Sequence, residues 1–250
     1  MRGTPVRGRF GAAANGQSHL PGAGSNDRQM GENAMTIHVS AFRWVPPFAQ
    51  GHVRDLRVRW ALEEAGLPYE AALIGPADQA SESYRAWQPF GQVPAFRDGE
   101  VELFESGAIV LYLSRQSPAL APEDEAGRAR VATWILAALN SIEPHVGQLA
   151  LTDIFHKGEA WTVARRPQIV AMIEKRLQQF ETRLGDRDYL EGRFSAGDLM
   201  MASVLRDVPD DILARYPRLA AYRARCIARP AFARALEAQM EPFRANAPAA

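Results

Sequence analysis

A chain of 250 residues, 47% hydrophobic and 23% charged, has the make-up of a globular protein with one large domain or two modest ones. Its 29 basic and 29 acidic residues cancel to a formal net charge of zero, which removes the electrostatic case for nucleic acid or an anionic membrane as a partner. No run of about eighteen apolar residues occurs, so no membrane span is expected. The single cysteine, Cys226, excludes an intramolecular disulfide and fits a reducing, cytoplasmic setting.

Residues 1–35 are rich in Gly, with scattered Pro, Ser and Asn and no apolar periodicity, so they read as a disordered extension, with Met35 a candidate initiator. Ile37 to Phe42 reads as a strand, followed by a Pro- and Gly-containing loop over 43–53. A helix is predicted from Asp55 to Ala65, favoured by Asp55 at its start and stopped by Gly66 and Pro68. The basic residues near 54–59 and 223–229 read as solvated helix faces. Tyr69 to Ile74 is a second strand, and strand–helix–strand implies a right-handed parallel crossover. A weaker helix over 77–88 precedes strands at 94–97 and 101–104, joined by the hairpin signal Asp98-Gly99. Helix returns from Ser106 to Arg115. Residues 36–117 therefore read β-α-β-α-β-β-α, an α/β unit of the thioredoxin-like kind with a four-stranded mixed sheet.

After a linker at 118–124, the span 125–245 reads as an all-α helical domain, with helices at 125–147, 163–184 and 196–206 and a pair over 217–240 broken at Pro230. Ser195-Ala196-Gly197-Asp198 is a capping box with Asp in the usual place of Glu, which predicts the start of a buried helix. Cys226 sits in a helical stretch with no nucleophile motif near it and reads as a packing residue.

Two motifs carry chemistry. Gln92-Val93-Pro94-Ala95-Phe96 enters a strand at a proline, and Glu105-Ser106-Gly107-Ala108-Ile109 leaves a strand and opens a helix. Backbone groups beside Pro94, a carboxylate and a helix N-terminus together suit a small zwitterionic ligand. The simpler alternative for the second motif is local: Ser106 as N-cap and Glu105 as a charge favourable to the helix dipole.

The order of these pieces resembles the cytosolic glutathione transferase superfamily. Ala61-Leu62-Glu63-Glu64-Ala65-Gly66-Leu67-Pro68-Tyr69-Glu70 is similar to that family's first helix and its exit, 89–96 to its cis-proline segment, 104–109 to its acid-serine motif and 195–198 to its helical-domain capping box. The resemblance implies a detoxifying enzyme that adds the thiolate of glutathione to an electrophilic small molecule, acts as a homodimer and needs no metal. It also implies roles. Ser106 receives the γ-glutamyl carboxylate and Glu105 its ammonium. Val93, held by a cis Pro94, pairs with the cysteinyl backbone, and Gln92 reaches the glycyl end. The chain departs from the family at the thiol. The 42–55 segment has none of the Tyr, Ser or Cys that most members place there, which leaves Arg54 and His52 as candidates to stabilise the thiolate. Arg43, Trp44 and Phe48 are expected to shape the second-substrate pocket. Trp134, Phe155 and Trp161 are expected in the helix core, with a wall of that pocket as the alternative. A catalytically silent binding protein, or a glutathione-dependent peroxidase, isomerase or dehalogenase, remains open on this reading.

Overall fold

The computed structural model describes residues 36–248; the extension expected over 1–35, with Met35, lies outside the described residues. Strand β1 (Ile37–Phe42) pairs in parallel with β2 (Tyr69–Ile74) in a register running from Ile37 opposite Tyr69 to Phe42 opposite Ile74. Helix α1 (Asp55–Ala65) forms the crossover between them and ends at Gly66, whose left-handed φ of 69° suits glycine. Strands β3 (Ala95–Asp98) and β4 (Val101–Phe104) form the hairpin, and β3 runs antiparallel to β1. The sheet order β2-β1-β3-β4 is the expected four-stranded mixed sheet of a thioredoxin-like fold. Strand β3 starts one residue later than predicted because Pro94 has no N–H to donate to a ladder.

The single helix predicted over 77–88 is two short ones, α2 (Pro76–Ala80) and α3 (Glu82–Trp87). They divide at Ser81, which is extended (φ −68°, ψ 150°). Its hydroxyl accepts from the Tyr84 N–H at 3.1 Å and donates to the Asp78 carbonyl at 2.7 Å. A serine that bonds the local backbone in this way starts a new helix more readily than it continues an old one. Helix α4 (Ser106–Ser114) closes the α/β unit.

The remaining elements are all helical: α5 (Glu125–Ala137), α6 (Glu143–Ala150), α7 (Ala160–Leu184), α8 (Ala196–Arg206), α9 (Asp210–Leu213), α10 (Pro217–Ile227) and α11 (Pro230–Ala245). The helix predicted over 125–147 extends further, because wide π-helical turns at Ala138–Ile142 and Leu151–Phe155 carry α5 through α6 to residue 155. Gly197 lets α8 approach α5 closely, since a Cβ there would lie 2.8 Å from the Trp134 Cβ.

Helix α1 corrects one expectation. Its basic residues do not line a solvated face: Arg57 and Arg59 are buried, at 4% and 2% exposure, as is Asp55. Arg59 donates to Asp55 at 2.8 Å and to the Ala238 carbonyl of α11 at 3.2 Å, and Gln239 donates to Asp55 at 2.6 Å. Each buried charge is answered within α1 or from the helical part, so burial is tolerable.

The capping box at α8 forms as read. Asp198 is buried and accepts from the backbone N–H of Leu190 and Ser195, the Ser195 hydroxyl and the Tyr222 hydroxyl, at 2.8–3.0 Å. Burial pushes its carboxyl up, and these donors only partly pull it back. Cys226 is fully buried, and burial pushes its thiol to about 12. Replacing Asp198 by Ala strands several buried donors and is expected to cost on the order of 4 kcal/mol. For a body of this size that is a fall in Tm of about 10 °C. Calorimetry checks this; a Tm within 2–3 °C (about 1 kcal/mol) of the parent would refute the assignment.

Candidate functional site

The two motifs converge at the edge of the sheet. The Val93-Pro94 peptide bond is cis. The Val93 side chain is 7% exposed and packs with Ile74 and Tyr84 under the loop. Among the described residues, neither the N–H nor the C=O of Val93 has a hydrogen-bond partner. An unpaired backbone beside a strand end is a template for an added extended chain.

A relay of buried hydroxyls holds this segment. The Ala95 N–H donates to the Ser40 Oγ at 2.6 Å, and the Tyr84 hydroxyl donates to the Gln92 carbonyl at 2.6 Å. Ser40 and Tyr84 are 2.8 Å apart, and because the Tyr84 proton is committed to Gln92, Ser40 donates to Tyr84. The chain Ala95 to Ser40 to Tyr84 to Gln92 thus ties both flanks of Val93-Pro94 to β1 and α3. Burial pushes the Tyr84 phenol up, which keeps its proton in place.

Helix α4 begins nearby. Glu105 occupies its cap position with φ 70° and ψ 116°, and no side chain caps the helix. Ser106 is the first helical residue and not the N-cap of the simpler reading, whereas Glu105 stands at the cap position, where a negative charge suits the helix dipole. A non-glycine residue held at positive φ costs about 1–3 kcal/mol and marks a place where geometry is selected over stability. The uncapped N–H groups and the Ser106 hydroxyl can donate to an anion.

Ser106 connects to the helical part through a residue the motifs did not single out. The buried Arg57 Nη1 donates to the Ser106 Oγ at 3.4 Å, while its Nη2 pairs with Glu143 of α6 at 2.8 Å. Arg54 pairs with the same carboxylate at 3.0 Å but is half exposed, at 50%. Burial pushes the Glu143 carboxyl up, but Arg57 and then Arg54 outweigh it and hold the group below its ordinary 4.5. The Arg57-Val58-Arg59 run was visible in the sequence, but which helix face it occupied was not.

A cleft of about 1030 Å³ opens between the 43–53 loop and the helical part. Arg54, Arg57, His52, Gln92 and Glu143 line it, with Phe48, Leu151, Ile154 and Phe155 supplying an apolar wall. Phe48 and Phe155 meet edge to face at 5.7 Å across its mouth. His52 pairs with Asp207 at 2.6 Å, and Arg206 donates to the Gly51 carbonyl at 2.9 Å, so α8 anchors the loop.

Two residues expected at a second-substrate pocket lie elsewhere. Arg43 turns to the end of β2, donating to the Leu73 carbonyl at 3.4 Å and lying 3.7 Å from Asp78. Trp44 is half-buried and does not line the cleft, whereas Phe48 does. Of the three aromatics expected in the helix core, Trp134 is half-buried against Phe180, but Phe155 and Trp161 are 61% and 47% exposed. The wide turn at Leu151–Phe155 rotates Phe155 into the cleft wall. The Trp161 ring lies against that of His156, with centroids 5.3 Å apart and planes tilted by 58°.

Known proteins are similar to this chain in sequence and fold. A family model described as the N-terminal domain of glutathione S-transferase covers residues 49–115. Glutathione S-transferase APIC of Nicotiana tabacum is 30% identical over 213 residues, spanning 73% of this chain and 92% of the tobacco protein. Glutathione S-transferase 1 of Zea mays is 33% identical over 187 residues, covering 70% of this chain and 86% of its own. A glutathione transferase from Burkholderia graminis, solved with two glutathione molecules per subunit, is 28% identical and aligns over 81% of this chain and 88% of that one with a TM-score of 0.71.

Two outcomes follow from the geometry. Glu143→Gln leaves the buried Arg57 without a counter-charge and is expected to destabilise the protein by about 3 kcal/mol at neutral pH. A depressed carboxylate adds stability above its unfolded value and loses it as pH falls through the folded one. The gap between parent and variant should therefore narrow below pH 4.5, and a gap independent of pH in denaturant titrations would rule the linkage out. Tyr84→Phe removes the relay's last donor. It is expected to cost about 1–2 kcal/mol and to speed hydrogen exchange at the Ala95 amide. Unchanged exchange at Ala95 would mean the relay does not hold the segment.

Proposed function

The chain belongs to the glutathione S-transferase family, and we propose on that footing that it binds glutathione at the Val93–Pro94 edge and transfers its sulfur to an electrophilic small molecule. The observation that carries this is the unpaired backbone of Val93 beside the uncapped N-terminus of α4. In this reading the cysteinyl backbone of glutathione adds to Val93 as a short strand, with Pro94 shaping the turn. The γ-glutamyl carboxylate accepts from Ser106 and the α4 N–H groups, and Glu105 accepts from its ammonium. Gln92 reaches the glycyl end.

A thiol with an ordinary value near 8.5 is mostly protonated at neutral pH, so transfer needs a group that favours the thiolate. Arg54 and His52 at the mouth of α1 are the candidates, and Phe48, Leu151, Ile154 and Phe155 receive the electrophile. Binding both partners in one cleft supplies orientation as well as electrostatics. Cytoplasmic location, a role in detoxification and a homodimer belong to the same reading. Among the described residues no helix is long and apolar enough to cross a membrane.

One observation favours a second reading, a member that binds glutathione without activating it. Arg54 is engaged with Glu143 and His52 with Asp207, so each must share its partner to act on a thiolate. The thiolate absorbance of bound glutathione, followed against pH, separates the two. A thiol titrating below its free value supports transfer, and loss of that shift in Arg54→Ala or in His52→Ala assigns the role. Binding with an unshifted thiol supports the silent reading. Ser106→Ala is expected to weaken glutathione about tenfold. Parent affinity in that variant counts against the site.

A further inference from the structure

The cleft holds one charge that its own residues leave unanswered. Three carboxylates line it, and each is occupied: Glu143 by Arg54 and Arg57 at 3.0 and 2.8 Å, Asp207 by His52 at 2.6 Å and Asp210 by Arg223 at 2.8 Å. Arg206, the last residue of α8, lines the same cleft and has no carboxylate in ion-pair range among the described residues. Its protein partners are neutral. Nη2 donates to the Gly51 carbonyl at 2.9 Å, and the guanidinium carbon sits 5.0 Å from the centre of the Phe232 ring. Burial pulls the guanidinium down by more than neighbouring Asp207 pulls it up, as for a cation short of compensation. The remaining N–H groups have no protein acceptor among the described residues, and none of them is sealed from solvent.

The apolar lining of the same cleft is uncovered: Phe48, Leu151, Ile154 and Phe155 are 52%, 48%, 49% and 61% exposed. A guanidinium without a carboxylate, in a cleft that also carries exposed apolar side chains, selects a molecule with a flat or aliphatic body and an anionic end. We propose that Arg206 is the anion-binding residue of the second subsite, and that the cleft takes aromatic carboxylates. The planar fork of arginine matches a carboxylate through two parallel hydrogen bonds. A cation partly withdrawn from water and lacking a counter-charge gains more from such a partner than an exposed one. The body of the ligand buries the two phenylalanines at the mouth. The inference rests on the proposed function only in naming the cleft as the second-substrate site; carboxylate binding there needs no glutathione.

The test uses 4-nitrobenzoate and its neutral relative 4-nitrobenzamide, titrated calorimetrically into the full chain without glutathione. The parent is expected to bind the benzoate at least about tenfold tighter than the amide, the ratio of one charge-assisted pair. Arg206→Gln should erase that preference while binding the amide as the parent does, and Arg206→Lys should keep part of it. Arg206→Met, which retains the stem over Phe232, replaces the Gln variant if circular dichroism shows that one misfolded. No preference in the parent, preference persisting without the guanidinium, or equal loss of both probes would overturn the proposal; the last would reduce Arg206 to a prop for Gly51. Retention of the same preparations on immobilised glutathione reads the other question separately. Benzoate preference without retention sinks the transferase reading alone, and retention without preference sinks the anion site alone.

Discussion

Everything in this molecule turns on a helix that carries charge into the interior. Helix α1 buries Asp55, Arg57 and Arg59 together with Leu56, Val58, Trp60 and Leu62, so no face of its first two turns is free for water. A buried ion left unpaired costs several kcal/mol, a large part of the 5–15 kcal/mol by which a domain is stable. The α/β unit contributes Asp55 to Arg59 and Ser106 to Arg57. The remaining partners come from the helical part: Glu143 of α6, and Gln239 and the Ala238 carbonyl of α11. The interface between the two parts is therefore specified by pairing as well as by apolar area.

That pairing also places the chemistry. The N-terminal end of α1, the start of α4 and the α6 carboxylate meet at Arg57, which touches both Ser106 and Glu143. The proposed grip for glutathione and the cleft beyond it are thus held by the same side chain. The loop over 43–53 is fastened from the far side, by Asp207 to His52 and Arg206 to Gly51. Held at both margins, the cleft can keep exposed aromatic side chains facing one another without collapsing on them.

The strands β1, β2 and β4, the helices α1 and α8, the hairpin and the capping box were all legible, because each has a local signal: alternation, a stop at Gly-Pro, Asp-Gly, or Ser followed three residues later by Asp. Ser81 was a local signal missed; its hydroxyl turns the chain and splits one predicted helix in two. The errors of another kind were errors of environment. Charge at 54–59 reads as solvent-facing unless the partners are known, and apart from the Asp55–Arg59 pair within the helix those partners are some 86 and 180 positions away in the chain. The relay through Ser40 and Tyr84 was hidden in the same way, since a serine inside a strand and a tyrosine on a short helix declare nothing until their hydroxyls lie 2.8 Å apart.

By itself the sequence determined the two-part architecture, the family and the two motifs that meet at the candidate site, because these rest on periodicity, turn chemistry and short runs of neighbouring residues. Only the tertiary structure decided which charges are buried and what answers them. It also decided that Arg43 turns away from the cleft while Phe155 turns into it, and that Arg206 stands there without a carboxylate. Pairing, burial and the walls of a cleft are properties of residues far apart in the chain, and no local pattern encodes which of them will touch.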